Sequence, residues 1–264
     1  MIYLLATNNP NKAREIRAMF ETAGLKLITL ADLGLYFEAR EDGQTFADNA
    51  MQKATETAAF LRDIGAGSVH TGCMGKQSGC LPWQLSEEAA RVPKGTASPC
   101  GHTGEQSSPL QKDFPYREFL SPYSIAVLAD DSGLVIDALD GEPGVDSALY
   151  MGRDTPYAEK CQNILSRLAN VPDGKRIARF VCALVCILPD GSQLTAEGIS
   201  EGFISRNIRG QGGFGYDPIF FYPPYNKTLA ELTQEEKNQI SHRGQAIHKM
   251  IGLILEIDTN SRNK

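Results

Sequence analysis

The amino-acid sequence predicts an α/β fold built on a mixed β-sheet, and two patterns carry this prediction. Near the start of the chain, short apolar runs alternate with segments of helical periodicity, which is typical of parallel strands connected by helices. Further along, residues 176–188 and 193–200 have the pattern of two long strands, separated by the turn Pro189-Asp190-Gly191. This arrangement predicts an antiparallel hairpin. Both kinds of connection in one chain indicate a mixed sheet.

The N-terminal elements follow from apolar spacing. Residues 2–7 are predicted to be a buried strand ending at Asn-Asn-Pro, and residues 12–23 have the apolar spacing of a helix. Residues 27–30 are a possible second strand. Thr45 is a candidate cap for a helix that runs to about Arg62.

The C-terminal elements complete the fold. Residues 124–129 are predicted to be a strand that stops at Asp130-Asp131-Ser132-Gly133. Helices are expected at 157–168 and at 245–257, and the second of these has a clear apolar face.

Composition excludes several classes of protein. The chain has 264 residues, of which 42% are hydrophobic and 22% charged, with a net charge of −6. These values fit a globular protein and exclude a fibrous or wholly disordered one. The acidic balance argues against nucleic acid as a partner, and no apolar run approaches the length of a membrane span. The N-terminus lacks a signal peptide pattern and six cysteines form no regular framework, so a cytoplasmic location is expected.

The segment 65–124 differs from the rest of the chain. Its 60 residues contain 8 Gly, 8 Ser and 6 Pro, and only 8 residues are Leu, Ile, Val or Phe. That apolar share is too small for a core of its own. We therefore expect a single domain over 1–264, interrupted by an irregular insertion at 65–124.

The first candidate site is the turn Thr7-Asn8-Asn9-Pro10-Asn11-Lys12, between a strand and a helix. Free backbone N–H groups, the helix dipole and a lysine suit such a turn to a phosphate. The alternative is an ordinary helix cap, which Asn and Pro also form.

The second candidate is acidic. Asp130 and Asp131 suit a divalent cation such as Mg²⁺, and one of the pair could instead accept a proton from water. The alternative is a turn closed by Gly133. In the loop and helix at 40–54, Glu41 could complete the metal site and Lys53 could reach a phosphate, although each could also be a solvated surface charge.

Two further motifs suit a flat heterocycle. In residues 212–220, three glycines permit close approach, and Phe214 and Tyr216 offer rings for stacking. Lys237 and the Ser-His-Arg-Gly sequence at 241–244 supply donors that could read a carbonyl edge. The alternatives are a glycine-rich turn and a helix cap at Ser241. Together, the candidates describe a Mg²⁺-dependent enzyme acting on a nucleoside triphosphate.

With these motifs in order, the chain resembles the inosine/xanthosine triphosphate pyrophosphatase family. The blocks that carry the resemblance are LATNNPNKAREI at 4–15, TFADNAMQKA at 45–54, ADDSGLVIDALDGEPGVDSALY at 129–150, GGFGYDPIFF at 212–221, KTLAEL at 227–232 and EEKNQISHRGQA at 235–246. The resemblance implies an elongated mixed sheet with two lobes around a long cleft, and a homodimer. It also implies hydrolysis of ITP, dITP or XTP to the monophosphate and pyrophosphate, with Mg²⁺.

Residue roles come with the resemblance. It implies Asp131 as proton acceptor and metal ligand and Ser132 as a substrate contact. It implies phosphate binding by the 7–12 turn and Lys53, and stacking of the base on the loop formed by Phe214, Gly215, Tyr216 and Asp217. It also implies that Lys237, His242 and Arg243 close around the base and the phosphate. The acidic loop departs from the family pattern, so Glu41 is the metal candidate and Glu38 its substitute. Two other functions remain open: a nucleotide sensor without catalysis, and a house-cleaning pyrophosphatase for other modified nucleotides.

Overall fold

The computed structural model describes residues 1–65, 83–85 and 125–262 and confirms the mixed sheet. The strands are β1 (Ile2–Leu5), β2 (Lys26–Thr29), β3 (Leu35–Phe37), β4 (Trp83–Leu85), β5 (Ile125–Ile136), β6 (Ile177–Ile187), β7 (Gln193–Ile204), β8 (Phe220–Tyr222) and β9 (Lys227–Thr228). The helices are α1 (Pro10–Thr22), α2 (Phe46–Gly65), α3 (Tyr157–Arg167), α4 (Gln234–Ile240) and α5 (His242–Arg262). Among these helices, none is long and apolar enough to span a bilayer.

Seven strands form one sheet in the order β2-β1-β5-β6-β7-β8-β9. β1 pairs in parallel with both β2 and β5, whereas β5, β6 and β7 pair antiparallel. The predicted hairpin is therefore present as β6 and β7. The short strands β3 and β4 form a separate antiparallel pair. Apart from Gly65 and β4, the segment 65–124 lies outside the described residues.

Helices cover both faces of the sheet. α1 and α5 pack on one face through Ile16, Phe20, Ile247 and Met250, and α2 packs on the other through Ala50, Ala54 and Phe60. A third cluster lies beneath α3 and includes Ile164, Phe180 and Phe220. Different helices therefore cover the two faces of the sheet. Because side chains alternate along a strand, successive residues of β5 point towards different helices.

The prediction that the strand after residue 124 stops at Ala129 is wrong. β5 continues through Asp130-Asp131-Ser132-Gly133 to Ile136, and its partner β6 accompanies it along that whole stretch. The acidic pair therefore lies inside a strand, third in the order of the sheet, and not in a turn. The longer strand forms because β6 supplies a hydrogen-bonding partner where the local sequence resembles a turn.

Gly133 illustrates the same tertiary constraint. A Cβ at this position would lie 2.4 Å from the carbonyl oxygen of Gly144 and 2.4 Å from Ser147 Oγ. Ser147 Oγ also accepts a hydrogen bond from the N–H of Leu134 at 2.9 Å. Glycine is therefore required for close packing of the 144–147 turn on β5, and not for closing a turn of its own.

The end of β1 creates a crevice beside β5. β1 pairs with β5 only as far as Leu5 and Leu128, after which the chain leaves β1 towards α1. Beyond this point β5 retains β6 as a neighbour but has lost β1. Ligands commonly bind outside the carboxyl ends of strands at such positions.

Candidate active site

A cavity of about 580 Å³ opens at this crevice, and distant parts of the chain line it. Its lining includes every predicted site residue except Asp130, namely Thr7, Asn8, Asn9, Pro10, Asn11, Lys12, Glu41, Lys53, Asp131, Ser132, Phe214, Gly215, Tyr216, Asp217, Lys237, His242 and Arg243. Glu38 also lines it. Residues separated by more than two hundred positions therefore meet around one space.

The turn before α1 forms a helix cap and also lines the cavity, as the two interpretations of its sequence predicted separately. Asn9 caps α1, because its Oδ1 accepts hydrogen bonds from the N–H groups of Asn11 and Lys12 at 3.0 and 3.3 Å. Pro10 has no N–H to offer. The prediction of free backbone donors is thus wrong for these positions, and an anion in this turn would depend on side chains and on the helix dipole.

Asp130 and Asp131 have opposite environments because successive side chains of a strand point to opposite faces. Asp130 is fully buried, with Oδ2 lying 3.1 Å from Lys12 Nζ and 3.5 Å from Arg243 Nε. Burial alone would raise the pKa of Asp130, but these two cations outweigh it and hold the pKa below its usual range. Asp130 is therefore a buried counter-ion and is not among the residues that line the cavity, so this geometry favours Asp131 over Asp130 as a metal ligand.

Asp131 faces the cavity and the α2 side of the sheet. Its Oδ2 accepts a hydrogen bond from Asn49 Nδ2 at 3.0 Å, and the residue is 5% exposed. Burial raises the pKa of Asp131, and the charges of Lys53 and Lys12 only partly counteract this effect. A carboxylate with a raised pKa is better suited to accept a proton than one held strongly in its charged form.

Lys53 connects the acidic groups. Its ammonium donates to the carbonyl oxygen of Asp130 at 2.9 Å and lies 2.8 Å from Glu41 Oε1. Burial would lower the pKa of Lys53, but Asp130, Glu41 and Asp131 together raise it. Lys53 is therefore a buried, charged group at the cavity wall and not a solvated surface charge.

The carboxylates at the cavity fit a hard divalent cation. Asp131 and Glu41 both interact with Lys53, whereas Glu38 pairs instead with Arg153. In the described part of the chain, no three acidic, histidine or cysteine residues cluster as a complete metal cage. Mg²⁺ usually takes one or two carboxylates and completes its shell with water and phosphate oxygens. The donor set thus suits Mg²⁺ better than a closed structural site.

A chain of alternating charges runs beneath the cavity. Glu15 of α1 accepts hydrogen bonds from Lys237 Nζ at 2.9 Å and from Arg243 NH1 at 2.8 Å. Lys237 Nζ also donates to Asp217 Oδ2 at 2.6 Å. Burial would raise the pKa of Glu15, but Arg243 and Lys237 lower it overall. The buried charges are therefore mutually neutralised and held in fixed positions.

Sequence reasoning missed Glu15, although one signal was available. Glu15 is 4% exposed and belongs to the buried stripe of α1, beside Ile16, Met19 and Phe20. A carboxylate within an otherwise apolar stripe needs a buried cation as partner. The pattern could have indicated an ion pair, but could not have identified Lys237 and Arg243, which lie more than 220 positions away.

The loop at 213–217 carries two aromatic side chains with different surroundings, Phe214 and Tyr216. Phe214 is half-buried and lies beneath two cations, with Lys237 Nζ 4.6 Å and Arg243 Cζ 5.4 Å from the ring centroid. Tyr216 is 3% exposed, donates from its hydroxyl to the carbonyl oxygen of Ser147 at 2.8 Å and packs edge-on against Tyr157. Phe214 is therefore available for stacking, whereas Tyr216 mainly anchors the loop.

His242 contributes a neutral ring to the same wall. Burial and the nearby charges of Arg243 and Lys237 hold its pKa well below the usual value. The imidazole stacks on Phe180, with ring centroids 4.6 Å apart and an interplanar angle of 12°. Its Nδ1 is buried without a partner among the described residues. Phe180, which sequence reasoning missed, thus fixes the plane of a ring that can still form a hydrogen bond.

The chain is similar in sequence and in fold to known proteins. The model of the Ham1 family matches residues 3–70 and 114–253, leaving 71–113 unmatched. Proteins named dITP/XTP pyrophosphatase match across nearly their whole length. The protein of Desulforamulus reducens is 35% identical over 254 residues, which cover 96% of each chain. The protein of Bacillus subtilis is 33% identical over 251 residues, which cover 95% of this chain and 96% of the relative. A solved Ham1 protein from Coxiella burnetii is similar with a TM-score of 0.66 and 29% identity, covering 97% of this chain and 99% of that one.

The two adjacent aspartates should differ in their effect on stability. Asp130→Asn leaves Lys12 and Arg243 without their shared carboxylate, so we expect a loss of about 3–5 kcal/mol in the free energy of unfolding at pH 7. Asp131→Asn should change it by less than about 1 kcal/mol, because burial already disfavours the charged form. Urea denaturation of both variants measures the difference.

The pH dependence of the free energy of unfolding provides a control for the Asp130→Asn prediction. Because folding lowers the pKa of Asp130, its contribution is present above the unfolded value, near 3.8, and is lost as pH falls through the folded value. The gap between the wild type and Asp130→Asn should therefore narrow in acid. Equal losses in the two variants at pH 7 would contradict the assignment of Asp130 as the buried counter-ion.

Proposed function

The chain belongs to the Ham1 family, and from this membership and the geometry of the cavity we propose that it hydrolyses non-standard purine nucleoside triphosphates such as ITP, dITP and XTP. The products are the nucleoside monophosphate and pyrophosphate. Full-length relatives named for this activity support the substrate class. One structural observation carries the proposal most directly: Asp131 lines the same cavity as the cations Lys12, Lys53 and Arg243 and the ring of Phe214.

Asp131 acts in this proposal as the proton acceptor. Water attacks the α-phosphorus, the bond from that phosphorus to the bridging oxygen breaks, and the proton of the water passes to the carboxylate. Asn49 orients Asp131 through a hydrogen bond to Oδ2, and burial keeps the pKa of the carboxyl raised. Lys12 and Lys53, which line the same cavity, offset the charge of the phosphates.

Asp131 and Glu41 would hold Mg²⁺, which supplies further charge neutralisation at the phosphates when it is bound. The oxygen donors of Asp131 and Glu41 support the choice of a hard cation such as Mg²⁺. Glu41 is preferred over Glu38 because it lies with Asp131 around Lys53.

The hydrogen-bond donors of Lys237 and Arg243, next to Phe214, account for the selection of the purine base. Hypoxanthine and xanthine have an oxygen at C6, where adenine has an amino group. Lys237 and Arg243 carry only hydrogen-bond donors, and Phe214 lies directly beneath them. A buried donor facing an amino group costs about 1–3 kcal/mol, which favours the 6-oxo bases.

Activity measurements distinguish the enzyme from a nucleotide sensor. We expect pyrophosphate release from ITP and XTP to exceed release from ATP and dUTP, and Asp131→Asn to lower kcat by about 100-fold or more. The matched control is Asp137→Asn, since Asp137 follows β5 directly but lies outside this cavity. Tight ITP binding without pyrophosphate release by the wild type would instead support a sensor. A preference for dUTP would favour the alternative of a pyrophosphatase for other nucleotides.

The metal proposal has its own test. Glu41→Gln removes one of the two proposed carboxylate ligands, so the Mg²⁺ concentration for half-maximal activity should rise by about tenfold or more. Titration of activity with MgCl₂ at saturating ITP measures this shift. Glu38→Gln is the control and should leave the midpoint unchanged, whereas a shift in Glu38→Gln alone would reverse the assignment.

We also propose a cytoplasmic homodimer without nucleic-acid or membrane partners. The net charge of −6 and the unpaired thiols of Cys161, Cys182 and Cys186 support this proposal. The outer face of the β6–β7 hairpin exposes Ile177 and Ile199 at 42% and 41% beside a surface groove. An exposed apolar surface of this kind is typical of a protein interface.

Light scattering tests the dimer. The wild type should have twice the mass of the chain, and Ile199→Asp should shift it towards the monomer because a charge would be buried in the interface. Leu255→Asp is a control at another exposed apolar position, on α5. A monomeric wild type at micromolar concentration would contradict the proposal.

A further inference from the structure

An ion pair joins two walls of the cavity at its mouth. Arg153 NH1 pairs with Glu38 Oε1, and the hydroxyl of Tyr36 donates to Glu38 Oε2 at 3.2 Å. Both charged residues line the cavity, although they are 115 positions apart in the chain. Their side chains remain exposed, at 68% for Arg153 and 40% for Glu38. The pair is therefore solvated, and exposed pairs of this kind contribute little net stability.

Glu38 places this pair next to the turn that precedes α1. The residue before it, Phe37, accepts a hydrogen bond through its carbonyl oxygen from Asn8 Nδ2 at 3.0 Å. Asn8 belongs to the turn in which Lys12 begins the cationic wall. Through Glu38, Arg153 therefore lies close to the turn that carries Lys12, and it adds a further cation to the lining of the same cavity.

Arg153 differs from the other cations that line the cavity within the described residues. Lys12 pairs with the buried Asp130, Lys53 is held by the Asp130 carbonyl and Glu41, and Lys237 and Arg243 share the buried Glu15. Exchanging any of those partners would leave a buried charge unpaired, which is costly. Arg153 can leave Glu38 without that penalty, because water can solvate both groups.

The backbone around Arg153 is held in place, so exchange requires only its side chain to move. Lys160 Nζ donates to the carbonyl oxygen of Ala148 at 2.7 Å, and Tyr216 donates to that of Ser147. Closer to Arg153, Thr155 Oγ1 donates to the carbonyl oxygen of Met151 at 2.7 Å. The intervening Gly152 has a φ of 107°, a backbone conformation that favours glycine.

We propose that Arg153 binds a phosphate group of the triphosphate substrate and that Glu38 is its partner only in the empty cavity. The inference rests on the proposed function. The planar guanidinium matches the oxygens of a phosphate, and charge-assisted hydrogen bonds to a multiply charged anion are stronger than a pair with one exposed carboxylate. Glu38 then acts as an internal competitor that the substrate displaces.

Steady-state kinetics with ITP test this inference. Arg153→Gln should raise KM about fivefold and leave kcat within about twofold, because the contact is made in the ground state and in the transition state alike. The inhibition constant of pyrophosphate should rise in the same proportion. Glu38→Gln should lower KM, since Arg153 is then free before substrate binds. The matched control is Arg179→Gln, which breaks a similarly exposed pair with Asp137 away from the cavity and should change neither constant.

The outcomes separate the inference from the proposed function. An unchanged KM in Arg153→Gln would overturn the inference, and so would a raised KM in Glu38→Gln, since Glu38 would then assist binding and not compete with it. In both cases the wild type still cleaves ITP and the proposed function stands. A wild type that releases no pyrophosphate from any purine triphosphate would refute the proposed function instead.

Discussion

The burial of the Asp130 carboxylate is the constraint on which the site depends. This group lies within the central part of the sheet and is fully buried, so it requires cations within contact distance. Lys12 from α1 and Arg243 from α5 provide them. One carboxylate therefore fixes the positions of two helices relative to β5, and the same two cations present their remaining surfaces to the cavity.

The neutralised network continues from Asp130 to the base loop. Arg243 also contacts Glu15, Glu15 contacts Lys237, and Lys237 contacts Asp217, which in turn accepts the N–H of Phe214. Each charge has its partner in the protein before any ligand arrives. Donors arranged in this way need little reorganisation when an anionic substrate binds, which is the basis of electrostatic preorganisation. The cavity thus combines fixed buried cations with Arg153, an exposed one that can change partner.

Much of the fold and the set of candidate residues were predictable from sequence. Helical periodicity identified α1 and α2, and Thr45 does cap α2, since its Oγ1 accepts the N–H of Asp48 while Asp48 accepts the N–H of Thr45. Alternation and a turn signal identified the β6–β7 hairpin. These features are local, and local preferences decide them. The short strand β3, the full length of β5 and the buried role of Glu15 depend on partners far along the chain, so no local pattern could specify them.

The sequence by itself determined which chemical groups the protein possesses and which short segments carry them: an asparagine-lysine turn, a pair of aspartates, an aromatic loop and a basic helix start. Only the tertiary structure decided that the two aspartates have different environments. Because β6 pairs with residues 127–136, the acidic pair lies in a pleated strand and its side chains point to opposite faces. Asp130 is therefore buried against α1 and α5, whereas Asp131 faces the cavity beside α2. A turn would have imposed no such separation, and the strand exists only because a distant segment pairs with it.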